Sequence, residues 1–233
     1  MAGDNLEVPK ESAKDRAITV LRMAIAGAPY VGGAAVEMFN ALVVPPLEKR
    51  KAAWMEAVAT ELQRLAQRES LSLESLLDND QFTDAMLEAS QAALRTSNAT
   101  KLKALKCAVI NSALPEPPED SVQKICIRLV DELTEWHIKI LVLFHEPRVW
   151  FLQNGISPPV FNITSSLSAL LEKAFPELRG RRDLYDYLAN DLFLKGLLGI
   201  GNLHMNMSAD GAYDSRSTKL GKTFIGFISE KSE

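Results

Sequence analysis

Apolar residues recur at the three-to-four spacing of amphipathic helices along most of this chain. The clearest example is a long helix predicted over 48–68. Trp54, Val58 and Leu65 fall on one face of it. Glu61 is the single polar residue on that face, which is the side that a core would cover. The pattern therefore predicts a mainly α fold.

Polar residues mark where several helices begin. Asp78 with Gln81, and Asp120 with Gln123, have the spacing of a capping box, in which a polar cap and a residue three positions later satisfy free amides. Helices are predicted over 79–95, 98–113 and 120–132.

Prolines divide the N-terminal part. A helix is predicted from about Ala13 to Ala26, because the residue before Pro29 is disfavoured in helical geometry. A second helix carries Phe39, and we expect it to end at the pair of prolines at 45–46.

Residues 115–119 read Pro-Glu-Pro-Pro-Glu and form the most natural linker in the chain. We therefore predict two parts, a helical bundle over 1–114 and a second module over 120–233. No internal repeat accompanies this division.

The second module has a distinctive order of elements. An almost entirely apolar helix over 133–144 is followed by two further helices, over 167–174 and 181–195. After them come a segment of strand length at 203–207, a turn at 209–211 and a closing helix over 218–228. This order is similar to a winged helix-turn-helix with a small β-ribbon, in which 181–195 is the recognition helix and 208–217 the wing.

Nucleic-acid or partner contacts are predicted on that module. The candidates are cations and an aromatic residue on the recognition helix and wing: Arg179, Arg181, Arg182, Tyr213 and Arg216. Cations bind phosphate, which favours DNA as a ligand.

Acidic residues on the same helix favour a protein partner instead. Asp183, Asp186 and Asn190 share a face, where two carboxylates repel phosphate. The net charge of the chain is −4, so no basic footprint covers it. We expect the module to bind a protein or, as the weaker hypothesis, DNA, while the helical half mediates self-association.

A different class of function is suggested by the apolar segment 17–47, in which only Arg22 and Glu37 are charged. Its candidate membrane or oligomer contacts are Gly27, Tyr30, Gly32, Gly33 and Phe39. Small residues let helices approach closely, in lipid or in a protein core. The alternative hypothesis is thus a membrane-active effector, and the simpler interpretation is two short core helices. The longest uncharged run has 14 residues, against about 20 for a span.

Catalytic, metal and cofactor motifs are not evident. The 3 histidines lack metal-site spacing, and the 2 cysteines, Cys107 and Cys126, lie in apolar helical stretches. We expect a non-enzymatic cytoplasmic protein without a cofactor or metal. An enzyme with dispersed catalytic residues is the third hypothesis.

Several stretches together resemble a family of bacterial helical proteins of unassigned activity. They are 33–40, 45–54, 111–114, 131–134 and the Thr-Lys-Leu-Gly sequence at 218–221. The resemblance covers most of the chain from about residue 30. It implies a bacterial cytoplasmic setting and a helical body with a winged-helix-like end, and it assigns no site residues.

Overall fold

The chain is mainly α-helical. The computed structural model describes the backbone of residues 32–69, 72–161 and 164–230, and the side chains of these except 32–45 and 164–165. Ten α-helices lie in this part: α1 Gly32–Glu69, α2 Leu73–Leu77, α3 Asp80–Arg95, α4 Ala99–Ser112, α5 Asp120–Glu132, α6 Glu135–His145, α7 Pro147–Gln153, α8 Leu167–Ala174, α9 Arg182–Leu194 and α10 Lys219–Ile228. The predicted mainly α class is confirmed.

The chain divides into two compact units within α1. The first unit ends at Glu56, and the second runs from Ala57 to Glu233. The linker predicted at 115–119 lies inside this second unit. Helices before it pack against helices after it, since α3 and α4 both contact α5. A separate function for the parts on either side of 115–119 stays a prediction.

The helix α1 corrects the expectation that the prolines at 45–46 end a helix. The backbone stays helical from Gly32 through both prolines to Glu69. Each proline lacks an amide hydrogen, so the carbonyls of Ala41 and Leu42 lose their usual helical donors. The helix predicted over 13–26 lies outside the described residues.

The helix starts predicted at 79, 98 and 120 are correct to within one residue, but the two capping boxes are wrong. The helix predicted from residue 48 begins at Gly32 instead. Asn79, not Asp78, caps α3, because its side chain accepts a hydrogen bond from the Phe82 amide at 3.1 Å. Asp120 is the first residue of α5 rather than its cap. Both glutamines of the expected boxes, Gln81 and Gln123, instead donate to the carbonyl of Pro118. They fix the turn that contains the predicted linker.

The apolar helix α6 lies at the centre of the second unit. Four of its residues, Ile140, Leu141, Leu143 and Phe144, are fully buried. It contacts α7, α8, α9 and α10. A helix that is apolar nearly all round requires cover on every side, and these four neighbours provide it.

The strand predicted at 203–207 is mostly a loop. Leu203 is buried, its carbonyl accepts from the Ser168 amide at 3.0 Å, and it takes part in no ladder. Strand β2, Met207–Ser208, pairs antiparallel with β1, Thr164–Ser165, which precedes α8. Gly211–Tyr213 forms a turn of 3₁₀ helix where a wing hairpin was expected.

The helix α10 closes the second unit. It contacts α4, α5 and α6 and is therefore packed against helices from both sides of residues 115–119. At its start, the Thr218 hydroxyl donates to the Gly196 carbonyl at 2.5 Å and accepts from the Gly221 amide at 3.0 Å. At its end, the buried Asn111 amide group donates to the carbonyls of Phe227 and Ser229 at 2.8 and 3.0 Å.

Within the described residues, no helix is both long enough and apolar enough to cross a bilayer.

The approach of α10 to the turn after α9 requires a glycine. A Cβ atom at position 221 would overlap the carbonyl oxygen of Leu197. Backbone atoms cannot move aside as a flexible side chain can. We expect Gly221→Ala to lower the free energy of unfolding by about 2 kcal/mol or more, as overpacking in a core does.

Gly226, in the same helix, is the matched control, since nothing lies within 4 Å of a Cβ there. Gly226→Ala should raise stability by about 0.5–1 kcal/mol through helix propensity. Urea unfolding followed by circular dichroism measures both. Equal effects of the two substitutions would contradict this packing.

Candidate functional site

Three of the five predicted contacts, Arg179, Arg181 and Arg182, lie just before or at the start of α9. Its inner face consists of Tyr185, Leu188, Ala189 and Leu192, which are all buried. This spacing places four side chains on one side of the helix against α6. Gly180, at a φ of 72°, makes the turn that leads into the helix. The outer face is therefore held in a fixed orientation.

The outer face of α9 combines apolar and acidic side chains. Asp183, Tyr187, Asn190 and Leu194 follow at intervals of four, three and four residues and share this face. Tyr187 is 65% exposed and Leu194 is 72% exposed. Phe193, beside them, is 45% exposed. Large apolar side chains grouped on one exposed face are typical of binding surfaces.

The three arginines near the start of α9 are all exposed. The Arg179 Nε donates to the Glu172 carbonyl at 3.1 Å, and the Arg182 Nε pairs with Asp186 at 3.3 Å. Arg181 makes no ion pair to any described residue. One of the three predicted phosphate contacts thus remains without a protein partner in this part of the chain.

The remaining two candidates, Tyr213 and Arg216, are directed inward. The Tyr213 hydroxyl donates to the Pro159 carbonyl at 2.5 Å, and the Arg148 guanidinium lies 4.4 Å above its ring. Arg216 donates to the Gly211 carbonyl, while its side chain is only 25% exposed. Both residues stabilise the loop after β2, and neither projects from it as a wing contact does.

Two polar pairs attach α9 to its neighbours. The His204 Nε2 lies 2.7 Å from the Asp186 carboxylate, and the Tyr185 hydroxyl donates to Glu172 at 3.0 Å. Burial and this hydrogen bond raise the pKa of Tyr185 to about 12, so its hydroxyl remains protonated and donates. These bonds connect the helix to α8 and to the loop at 202–206, and their role is positional.

A buried histidine lies behind the outer face. The Nδ1 of His137 accepts from the Thr134 amide at 3.1 Å, and its Nε2 lies 3.2 Å from Asp191. The Tyr187 ring packs edge-on to the imidazole, with ring centres 6.5 Å apart. Asp191 also faces Lys195, at 3.8 Å. His137 is thus a buried core group, and its Nε2 forms no hydrogen bond with a described residue despite this proximity.

Catalytic geometry is not assembled by the other candidate groups. The His145 Nδ1 lies 2.8 Å from the Ser217 hydroxyl, but no described carboxylate forms an ion pair with that imidazole to complete a triad. Both cysteines are buried and unbonded, and burial raises the pKa of Cys126 to about 12. No group of three or more potential metal ligands occurs in the part of the chain described.

An open cleft with a cavity volume of about 90 Å³ lies between α1, α4 and the end of α10. Its charges are mutually neutralised: Glu61, the polar residue on the apolar face of α1, pairs with Lys106 at 3.2 Å. Glu230 pairs with Lys103 at 3.1 Å. The cleft therefore offers no unpaired charge to a ligand.

The N-terminal candidates are only partly located. Gly32, Gly33 and Phe39 lie in α1, where the backbone is helical. Gly27 and Tyr30 lie outside the described residues.

No protein-family model, curated protein or solved structure matches the chain. The family resemblance drawn from the sequence therefore stays a prediction.

Sequence reasoning missed two features of this site. Tyr187 and Leu194 were not identified as contacts, because an aromatic or aliphatic residue in a helix is usually part of the core. Their spacing from Asp183, on the face opposite Leu188 and Leu192, was the available signal. The His204–Asp186 pair joins residues 18 positions apart, and no local pattern indicates it.

The buried imidazole predicts a dependence of stability on pH. Burial lowers the pKa of His137 below its ordinary value of 6.5, and the nearby Asp191 only partly opposes this. The unfolded chain then takes up the proton at higher pH than the folded chain does. The contribution of His137 to the free energy of unfolding is complete above about pH 6.5. It is lost as the pH falls below that value, by at most about 1.4 kcal/mol per pH unit.

Urea unfolding at about pH 7.5 and about pH 5 measures this loss. We expect His137→Asn, which does not titrate, to reduce the difference in stability between the two conditions. An unaltered difference in His137→Asn would contradict the assignment.

Proposed function

We propose that this chain is a non-enzymatic interaction protein whose C-terminal, winged-helix-like module docks a protein partner through the outer face of α9. The observation that carries the proposal is the exposure of Tyr187, Phe193 and Leu194 on one fixed helix surface, next to the acidic Asp183.

The order of elements supports the winged-helix part of the proposal. Helices α6, α8 and α9 follow one another, and β1, just before α8, pairs with β2, which comes after α9. A single bridge between Leu198 and Ser217 adds a second connection at the base of the loop. The second of the paired helices in such modules is the one that meets a partner.

The chemistry of the outer face favours protein over DNA. Asp183 has no ion-pair partner among the described residues, and a free carboxylate repels phosphate. Arg182 is neutralised by Asp186. DNA binding at physiological salt requires several uncommitted cations, and at the start of α9 Arg179 and Arg181 are the two that form no ion pair with a described residue.

The side chains on the outer face of α9 also indicate the chemistry of the partner's surface. Aromatic and leucine side chains are anchors that dominate the affinity of protein interfaces when a partner covers them. Asp183 adds a negative charge at the edge of the patch. A matching surface combines apolar or aromatic side chains with lysine or arginine beside them. Self-association through the helical half stays a separate hypothesis of the same functional class.

Selection of random peptides displayed on phage against the full chain tests the proposal. We expect the selected peptides to combine apolar anchors with basic residues. Their affinity should fall at least about tenfold for the double variant Tyr187→Ser/Leu194→Ser, as loss of central anchors does.

The double variant Val149→Ser/Leu152→Ser is the matched control. It also removes two exposed apolar side chains from one helix, α7, where Leu152 is 81% exposed. It should bind the selected peptides as the unmodified chain does. Peptides that are acidic, or that bind both variants equally, would refute docking at α9.

A further inference from the structure

The helix α1 contains an exposed stretch. All residues from 46 to 53, about two turns, are exposed. Just beyond, Trp54 and Val58 are 6% and 1% exposed.

The uncovered stretch continues the apolar face of α1. Leu47 lies seven residues before Trp54 and thus on the same side of the helix, yet it is 38% exposed. Before it, the helical backbone from 38 to 47 carries no charged residue in the sequence. The face of α1 that is buried from Trp54 onward is therefore exposed at Leu47.

Glu48 and then three consecutive cations follow Leu47. Lys49, Arg50 and Lys51 are exposed, and none of them forms an ion pair with a described residue. Arg50 and Lys51 lie three and four residues after Leu47, and so they flank its face of the helix. Long basic side chains beside an apolar strip can extend to headgroups while their methylene groups cover hydrocarbon.

We propose that residues 46–53 of α1 bind the surface of an anionic lipid bilayer, with Leu47 at the acyl boundary and the three cations on lipid phosphates. Peripheral binding of this kind combines a small apolar area with basic charge. This role is independent of partner docking at α9.

The positive charges at 49–51 favour a lipid surface, rather than a second copy of the chain, as the ligand of this stretch. Two copies that pair along this face would place the 49–51 cations of one against those of the other over a short length of helix. Like charges in such proximity are unfavourable, whereas an anionic surface is complementary to all three. Each cation near such a surface strengthens binding about fivefold, and salt weakens the effect.

Co-sedimentation of the full chain with vesicles tests the proposal. One set contains phosphatidylcholine alone, and the other contains in addition roughly a third phosphatidylglycerol, an anionic lipid. We expect binding to the anionic vesicles only, and its loss as salt is raised.

Lys49→Glu/Arg50→Glu should weaken this binding at least about tenfold, since two favourable contacts become repulsive. Lys219→Glu/Lys222→Glu changes the charge equally at two exposed positions of α10 and should bind as the unmodified chain does. Circular dichroism verifies that both variants are folded.

Three results would overturn the proposal. They are no binding to anionic vesicles at low salt, equal losses in both double variants, and a concentration-dependent dimer that Lys49→Glu/Arg50→Glu disrupts while the vesicles remain unbound. The last result would identify a second copy as the occupant.

Discussion

The contact between Gly221 and the Leu197 carbonyl is the constraint on which the second unit depends. It places the first turn of α10 directly on the turn that ends α9, and Thr218 bonds to both sides of the contact. At the other end of the same helix, the buried Asn111 donates to its last carbonyls. A helix end without such donors leaves polar groups unsatisfied. Because α10 is anchored at both ends, it holds α4, α5 and α6 in one body.

The orientation of α9 follows from this anchoring. Its inner face packs on α6, and the pairs Asp186–His204 and Tyr185–Glu172 fix its sides. An interaction surface gains from such rigidity, because a preorganised surface loses less conformational entropy when it binds. Exposure of Tyr187 and Leu194 is therefore a property of a fixed surface rather than of a frayed terminus. That difference is the physical basis for interpreting them as anchors.

The local sequence pattern was sufficient to predict the helices but not the contacts between them. The spacing of Val122, Cys126 and Leu129 predicts α5, and Asp120–Glu132 has the bounds expected. The prolines at 45–46 failed as a stop signal: the backbone of α1 stays helical through both of them, although two carbonyls lose their usual donors. The segment 203–207 has strand length, yet its bonds run to Ser168 and Asn202. The Thr-Lys-Leu-Gly sequence at 218–221 was noticed as a motif, but only the position of Leu197 explains its glycine. Such contacts join distant residues and leave no periodic signal.

The central claim is that the outer face of α9 docks protein and does not read phosphate. Fluorescence anisotropy of a labelled mixed-sequence duplex, titrated with the purified chain from low to moderate salt, tests it most directly. The account predicts no salt-sensitive binding, and no change when Arg181 is replaced by alanine. Binding that weakens steeply with salt and is reduced by Arg181→Ala would contradict the claim, because that behaviour is the signature of cations on phosphates.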